Sequence, residues 1–78
     1  MAFSPDGTRI GGTFEGQWFI YDFISDDIKW SDKSGHYYKN FAWGANGKTA
    51  FILDTFAHNR VMNLLNLDTF KVSQYKKY

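Results

Sequence analysis

Apolar and polar positions alternate along this chain with the two-residue period of β-strands, in short runs separated by turn-forming residues. Residues 17–23 show it most clearly, with Trp18, Ile20 and Asp22 on one side and Phe19, Tyr21 and Phe23 on the other. Both sides are largely apolar, which predicts a strand covered on both faces. Residues 9–14 form the strand before it, weakened by Gly11-Gly12, since paired glycines mark a bulge or the close approach of another backbone. Glu15-Gly16 supplies a tight hairpin turn between the two. Residues 1–4 hold only the end of a strand, and Ser25-Asp26-Asp27 turns the chain into a short strand at 28–30. Residues 31–36 are polar and read as a linker. Alternation resumes at 37–43, with Tyr37, Lys39, Phe41 and Trp43 against Tyr38, Asn40 and Ala42. An almost continuous apolar strand follows at 49–55, then a loop at 56–59 and a strand at 61–67. Asp68-Thr69 turns the chain into a last strand at 71–77, whose Lys71, Lys76 and Lys77 suit a solvated edge that resists unwanted pairing.

The pattern occurs twice. Ala2-Phe3 and the turn Ser4-Pro5-Asp6-Gly7 return 40 residues later as Ala42-Trp43 and Gly44-Ala45-Asn46-Gly47. In each turn Asp or Asn tolerates the third position and Gly takes the positive φ that closes the hairpin. Further on, an offset of 44 places Tyr21 on Leu65, Asp22 on Asn66, Phe23 on Leu67 and Ile28 on Val72. The four extra residues fall between the Gly47 turn and Val61, most simply around His58-Asn59. The apolar spacing of 61–67 would by itself also suit a helix, and its alignment with the first half decides for a strand. The fold expected is therefore all-β: two four-stranded antiparallel meanders in a single domain, residues 1–34 and 35–78. A repeat of about 40 residues is the length of a four-stranded propeller blade.

The segment Ala2-Phe3-Ser4-Pro5-Asp6-Gly7-Thr8, followed by a strand ending in Tyr21-Asp22, resembles a blade of the WD-repeat β-propellers and their relatives. It carries the family's Phe-Ser-Pro-Asp-Gly signature and has Tyr-Asp where the family usually has Trp-Asp. The second half diverges more, with Trp43-Gly44-Ala45-Asn46-Gly47 and Leu65-Asn66. Gly35-His36 stands upstream of it, where the family often has Gly-His, but several residues nearer the turn than the family's buried His–Asp network requires. The resemblance implies blade-like sheets, a structural role for Asp22 and Asn66, and a non-enzymatic assembly or protein-interaction function. Propellers close with about 4–8 blades, and two blades alone would leave an apolar face open on each side. The expected resolution is a homo-oligomer, a head-to-tail ring of three or four chains. Derivation from a longer propeller, or collapse of the two meanders into a sandwich, are the alternatives.

Composition narrows the chemistry. Eight Phe, five Tyr and three Trp give a large apolar payload, while the absence of cysteine removes disulfides and thiolate metal sites. A net charge of +1 makes no case for nucleic acid or an anionic membrane surface. No apolar run approaches the roughly 20 residues of a membrane helix, and no basic segment with an apolar core marks a secretory signal at the N-terminus. A soluble protein is expected; lack of cysteine suits the cytosol without requiring it. Asp32 beside His36 and Asp54 beside His58 are the local metal-ligand pairs, too few for a site. Asp26-Asp27 sits in a turn where Asp is favoured locally, and neither a nucleophile elbow nor a phosphate-cradling glycine loop is present. No catalytic, cofactor or metal residue is assigned.

Phe19, Tyr21, Phe23, Phe41, Trp43, Phe51 and Phe56 are expected to fill the space between sheets, with Trp18, Trp30, Tyr37, Tyr38, Tyr75 and Tyr78 less interior. Exposed Trp and Tyr would also suit a small carbohydrate-binding protein, and the same surface a small protein inhibitor. The loops at 15–16, 31–38 and 56–60 should share one rim. They hold the candidate partner-binding residues Asp32, Lys33, His36, Tyr37, Tyr38, His58, Asn59 and Arg60, of which Tyr and Arg are the natural anchors.

Overall fold

The computed structural model describes residues 1–32 and 35–78. The first sheet consists of β1 (Ala2–Phe3), β2 (Arg9–Phe14), β3 (Gln17–Asp22) and β4 (Asp27–Trp30). The second consists of β5 (Tyr38–Trp43), β6 (Thr49–Asp54), β7 (Val61–Asn66) and β8 (Val72–Lys77). Both are antiparallel, and in both the strands lie in chain order.

The repeat is written into the register. Phe3 pairs with Ile10 as Trp43 pairs with Ala50. Ile10 pairs with Tyr21 as Ala50 with Leu65, and Tyr21 with Ile28 as Leu65 with Val72. The turns repeat as well. Asp6 Oδ1 accepts the Thr8 N–H at 3.0 Å and Asn46 Oδ1 the Lys48 N–H at 2.9 Å. Gly7 and Gly47 close these turns at φ 75° and 70°, a region open to glycine without a Cβ clash. Asp22 Oδ1 accepts from the Ile24 and Ser25 N–H groups, as Asn66 Oδ1 does from Asp68 and Thr69. The structural role expected of this pair is thus local capping of a turn. The central hairpins differ in length: β2–β3 are joined by Glu15-Gly16, and β6–β7 by residues 55–60 with a 3-10 turn at Phe56–His58.

Packing selects one face of each sheet. Gly11 on β2 leaves room for the Phe41 ring; a Cβ there would lie 2.4 Å from Phe41 Cζ. Arg9 Nη2 donates to the Gly47 carbonyl at 3.2 Å with its guanidinium 5.6 Å from the Trp43 ring centre, and Trp43 Nε1 donates to the Ala2 carbonyl at 2.8 Å. Trp18 stacks on Phe70 at 6.3 Å. Phe70 is left-handed at φ 57°, as is its counterpart Asp26 at 58°; its contact with Trp18 offsets the strain of a bulky residue there. The core is Trp18, Ile20, Tyr38, Ala50, Ile52, Leu65 and Leu67. The radius of gyration, 11.8 Å, is close to the about 11.5 Å of a single packed unit of this length.

Within the single chain β3 is covered on one face, with Trp18 buried and Phe23, just beyond the strand on the opposite side, 47% exposed. Two expectations are corrected here. Tyr38 is buried too: a bulge between Tyr38 and Phe41 breaks strict alternation and turns both residues inward. Phe56 falls in the 3-10 turn and remains exposed.

The two sheets therefore meet by unlike faces. Arg9, Gly11, Trp18 and Ile20, which look inward from the first sheet, correspond through the repeat to Thr49, Phe51, Met62 and Leu64, which look outward from the second. The outward face of the first sheet, with Ile10, Phe19 and Tyr21, corresponds to the inward Ala50, Asn63 and Leu65. Each sheet thus has a front and a back, and the front of the first lies on the back of the second.

Candidate functional site

Asp54, the last residue of β6, follows Ala50 and Ile52 on the inward face and so points toward the core at the end of the sheet. Its carboxylate gathers the rim loops. Oδ1 accepts the Tyr37 and Phe56 N–H groups, each at 3.0 Å, and Oδ2 lies 2.6 Å from His36 Nδ1. The Tyr37 carbonyl in turn accepts the Thr55 N–H at 2.8 Å, tying residues 35–37 to the 55–60 loop. The Glu15-Gly16 turn joins through the Tyr38 N–H, which donates to the Gly16 carbonyl, and through the Tyr37 ring lying against Gly16. Residues 36–38 of the linker, the 15–16 turn and the 55–60 loop are thus brought together.

The His36 ring stacks on Tyr38 at 5.4 Å and 11°, with its own side chain 47% exposed. Partial burial works to raise the Asp54 pKa, but hydrogen bonds from His36, Phe56 and Tyr37 outweigh it and hold the carboxyl below its ordinary value. Burial, then the Asp54 charge, pushes the Tyr38 phenol up to about 12. Both shifts describe a structural hub at neutral pH: a charged carboxylate and a neutral phenol.

The candidate residues divide accordingly. His36 and Tyr37 belong to this hub, and Tyr37 keeps an exposed ring. Tyr38 is a core residue, so its ring is no anchor for a partner. Asp32 is exposed beside the buried Ser31, and Lys33 lies outside the described residues. His58, Asn59 and Arg60 are exposed on the long loop. With Lys39 and Thr55 they line an open cleft of about 420 Å³. The residue that sequence reasoning underused is Asp54. Its neighbour in the chain, His58, suggested itself as partner, whereas the true partner His36 is 18 positions away. The available signal was strand alternation, which aims Asp54 inward and so demands hydrogen-bond partners.

A second opening of about 220 Å³ is lined by Arg9, Asp22, Asp27, Lys29 and Phe70 among others. Its charges are mixed, and Arg9 and Lys29 are engaged by aromatic rings. Among the described residues no three His, Asp or Glu side chains form a metal-binding group, and no helix is long and apolar enough to cross a membrane.

Fold and rim together define an all-β protein of two stacked meanders with its irregular loops gathered at one end. No protein-family model matches the chain, and it matches no curated protein and no solved structure.

Proposed function

We propose that the protein is a non-enzymatic, propeller-type assembly module, which completes itself by stacking further copies front to back. One observation carries this reading. The contact inside the chain joins the front of one sheet to the back of its repeat, so the two faces left open are the matching back and front. The open back presents Phe3, Phe14, Phe23, Ile28 and Trp30, which are between 44% and 63% exposed. Phe3 stacks on Phe23 at 5.9 Å and Phe19 packs on Trp30 at 5.2 Å, so the rings already form a continuous surface. The open front presents Phe51, Leu53, Met62 and Leu64, with Tyr75 edge-on to Phe51 at 5.3 Å. Contiguous apolar surface of this kind is characteristic of interaction sites. A contact between unlike faces propagates from copy to copy and closes only by rotation into a ring.

A mixing experiment tests it. Phe19→Lys blocks the open back and Met62→Lys the open front. Each variant alone should be a single chain of 9.1 kDa. Mixed in equal amounts, they should form a particle of two chains through the one intact back and the one intact front. A variant that stays paired with itself would point instead to a contact between like faces, and a mixture that remains single-chain would remove the assembly reading.

A further inference from the structure

We infer that the cleft at the 55–60 loop is a binding site for a phosphoryl group, carried as a phosphomonoester on a small polar molecule. The inference concerns the rim and does not rest on the assembly of open faces. Five side chains line the cleft: Lys39, Thr55, His58, Asn59 and Arg60. Four of them can donate a hydrogen bond outward, the Thr55 hydroxyl proton being given to the Tyr37 carbonyl at 3.2 Å; three can carry positive charge, and no carboxylate is among them. The chain as a whole is nearly balanced, with nine basic and eight acidic residues, so this local excess of donors is not a consequence of composition. Three of the cations outside the cleft lie against aromatic rings: Arg9 over Trp43, Lys29 over Phe70 and Lys76 over Tyr78. Among the described residues Lys39, His58 and Arg60 form no ion pair.

The loop that brings His58, Asn59 and Arg60 to this place is not needed to join two strands. The first half makes the same connection with Glu15-Gly16 alone. The longer loop holds two successive non-glycine residues, Ala57 and His58, in the left-handed region at φ 55° and 63°, each at a cost of about 1 kcal/mol or more. Asp54 anchors its first turn through the Phe56 N–H. A strained, anchored insertion that exposes donors instead of filling the core is organised toward something outside the chain.

The chemistry of the lining selects the ligand class. A phosphomonoester carries a charge of about −1.5 to −2 and three acceptor oxygens, which matches an Arg fork, an ammonium, an imidazole and one neutral amide donor. A carboxylate, with one charge and two oxygens, would leave part of that set unused. The cleft also falls within the roughly 300–1,000 Å³ usual for small-molecule sites, so a ligand with a polar body fits better than the bare ion.

The test is a titration followed by amide resonances of the isotopically labelled whole chain at low ionic strength. The probes are inorganic phosphate, glucose 6-phosphate, glucose and acetate. The expected result is saturable shifts at residues 39, 55 and 58–60 with both phosphates, tighter for the sugar phosphate, none with glucose, and binding of acetate about tenfold weaker or more. Lys39→Ala and Arg60→Ala, both exposed positions whose spectra report retained folding, should each weaken phosphate binding about tenfold. Equal affinity for the two phosphates would make free phosphate the ligand of the same site. Absence of saturable shifts with either phosphate would overturn the inference. So would shifts spread evenly over Lys29, Lys71 and Lys76, or acetate binding as tightly as phosphate.

Discussion

At the scale of single residues, the fold depends on a few side chains whose work is local. Asp6 and Asp54 are the clearest. The Thr8 N–H, then the Ser4 and Thr8 hydroxyls, hold the Asp6 carboxyl at about 2, and the Asp54 carboxyl is likewise held below its ordinary value. A carboxyl whose pKa is depressed by folding contributes stability above its unfolded value, and that contribution is lost as pH falls toward the folded value. The urea midpoint should therefore drop between pH 6 and pH 3, and drop less in a variant carrying both Asp6→Ala and Asp54→Ala. An equal drop in the variant would place the acid sensitivity elsewhere. At pH 7 Asp54→Ala alone should cost about 1–3 kcal/mol in urea unfolding, since it leaves the Tyr37 and Phe56 N–H groups without their acceptor. Gly47→Val should cost about 1–2 kcal/mol, because a β-branched residue is forced to φ 70°. Unchanged melting of that variant would contradict the shared turn geometry. These turns were legible because their chemistry lies within four residues. The Asp54–His36 pair was not, because the linker that brings it together has no periodic signal.

At the scale of elements, all eight strands and the four-residue difference between the halves follow from alternation and the repeat. The choice of face does not. Residues 17–22 are apolar on both sides, so pattern alone could not say that Trp18 would go in and Phe19 out. Gly11 makes that choice physical: its missing side chain is the space the Phe41 ring occupies. Gly11→Val should force the sheets apart at β2 and β5, at a cost of about 1–3 kcal/mol. In a domain of this size that lowers Tm by about 4 °C or more. Unchanged Tm would mean the sheets can slide past one another without loss. Tyr38 shows the other limit. Sequence spacing grouped it with the exposed rim, and one bulge, invisible in the pattern, carried it into the core.

At the scale of the whole molecule, two sheets enclose a thin core in which, among the described residues, only Ile52 and Leu65 are large and fully buried. Phe3, Phe14, Phe23, Ile28 and Trp30 on the open back and Phe51, Leu53, Met62 and Leu64 on the open front lie outside that core, and burial by further copies would add stabilisation at about 25 cal/mol per Å² before the costs of association. The candidate residues divide similarly: His36 and Tyr37 are held at the Asp54 hub, and His58, Asn59 and Arg60 stay exposed beside it. The central claim is that the open faces stack on one another. The most direct test is the mass of the unmodified chain in solution, measured by light scattering from low micromolar to high micromolar concentration, with Tm followed alongside. A ring of three or four chains of 9.1 kDa each, about 27 or 36 kDa, is the predicted result, with Tm rising with concentration as mass action requires. A particle of one chain across the whole range, melting at a constant temperature, would contradict it.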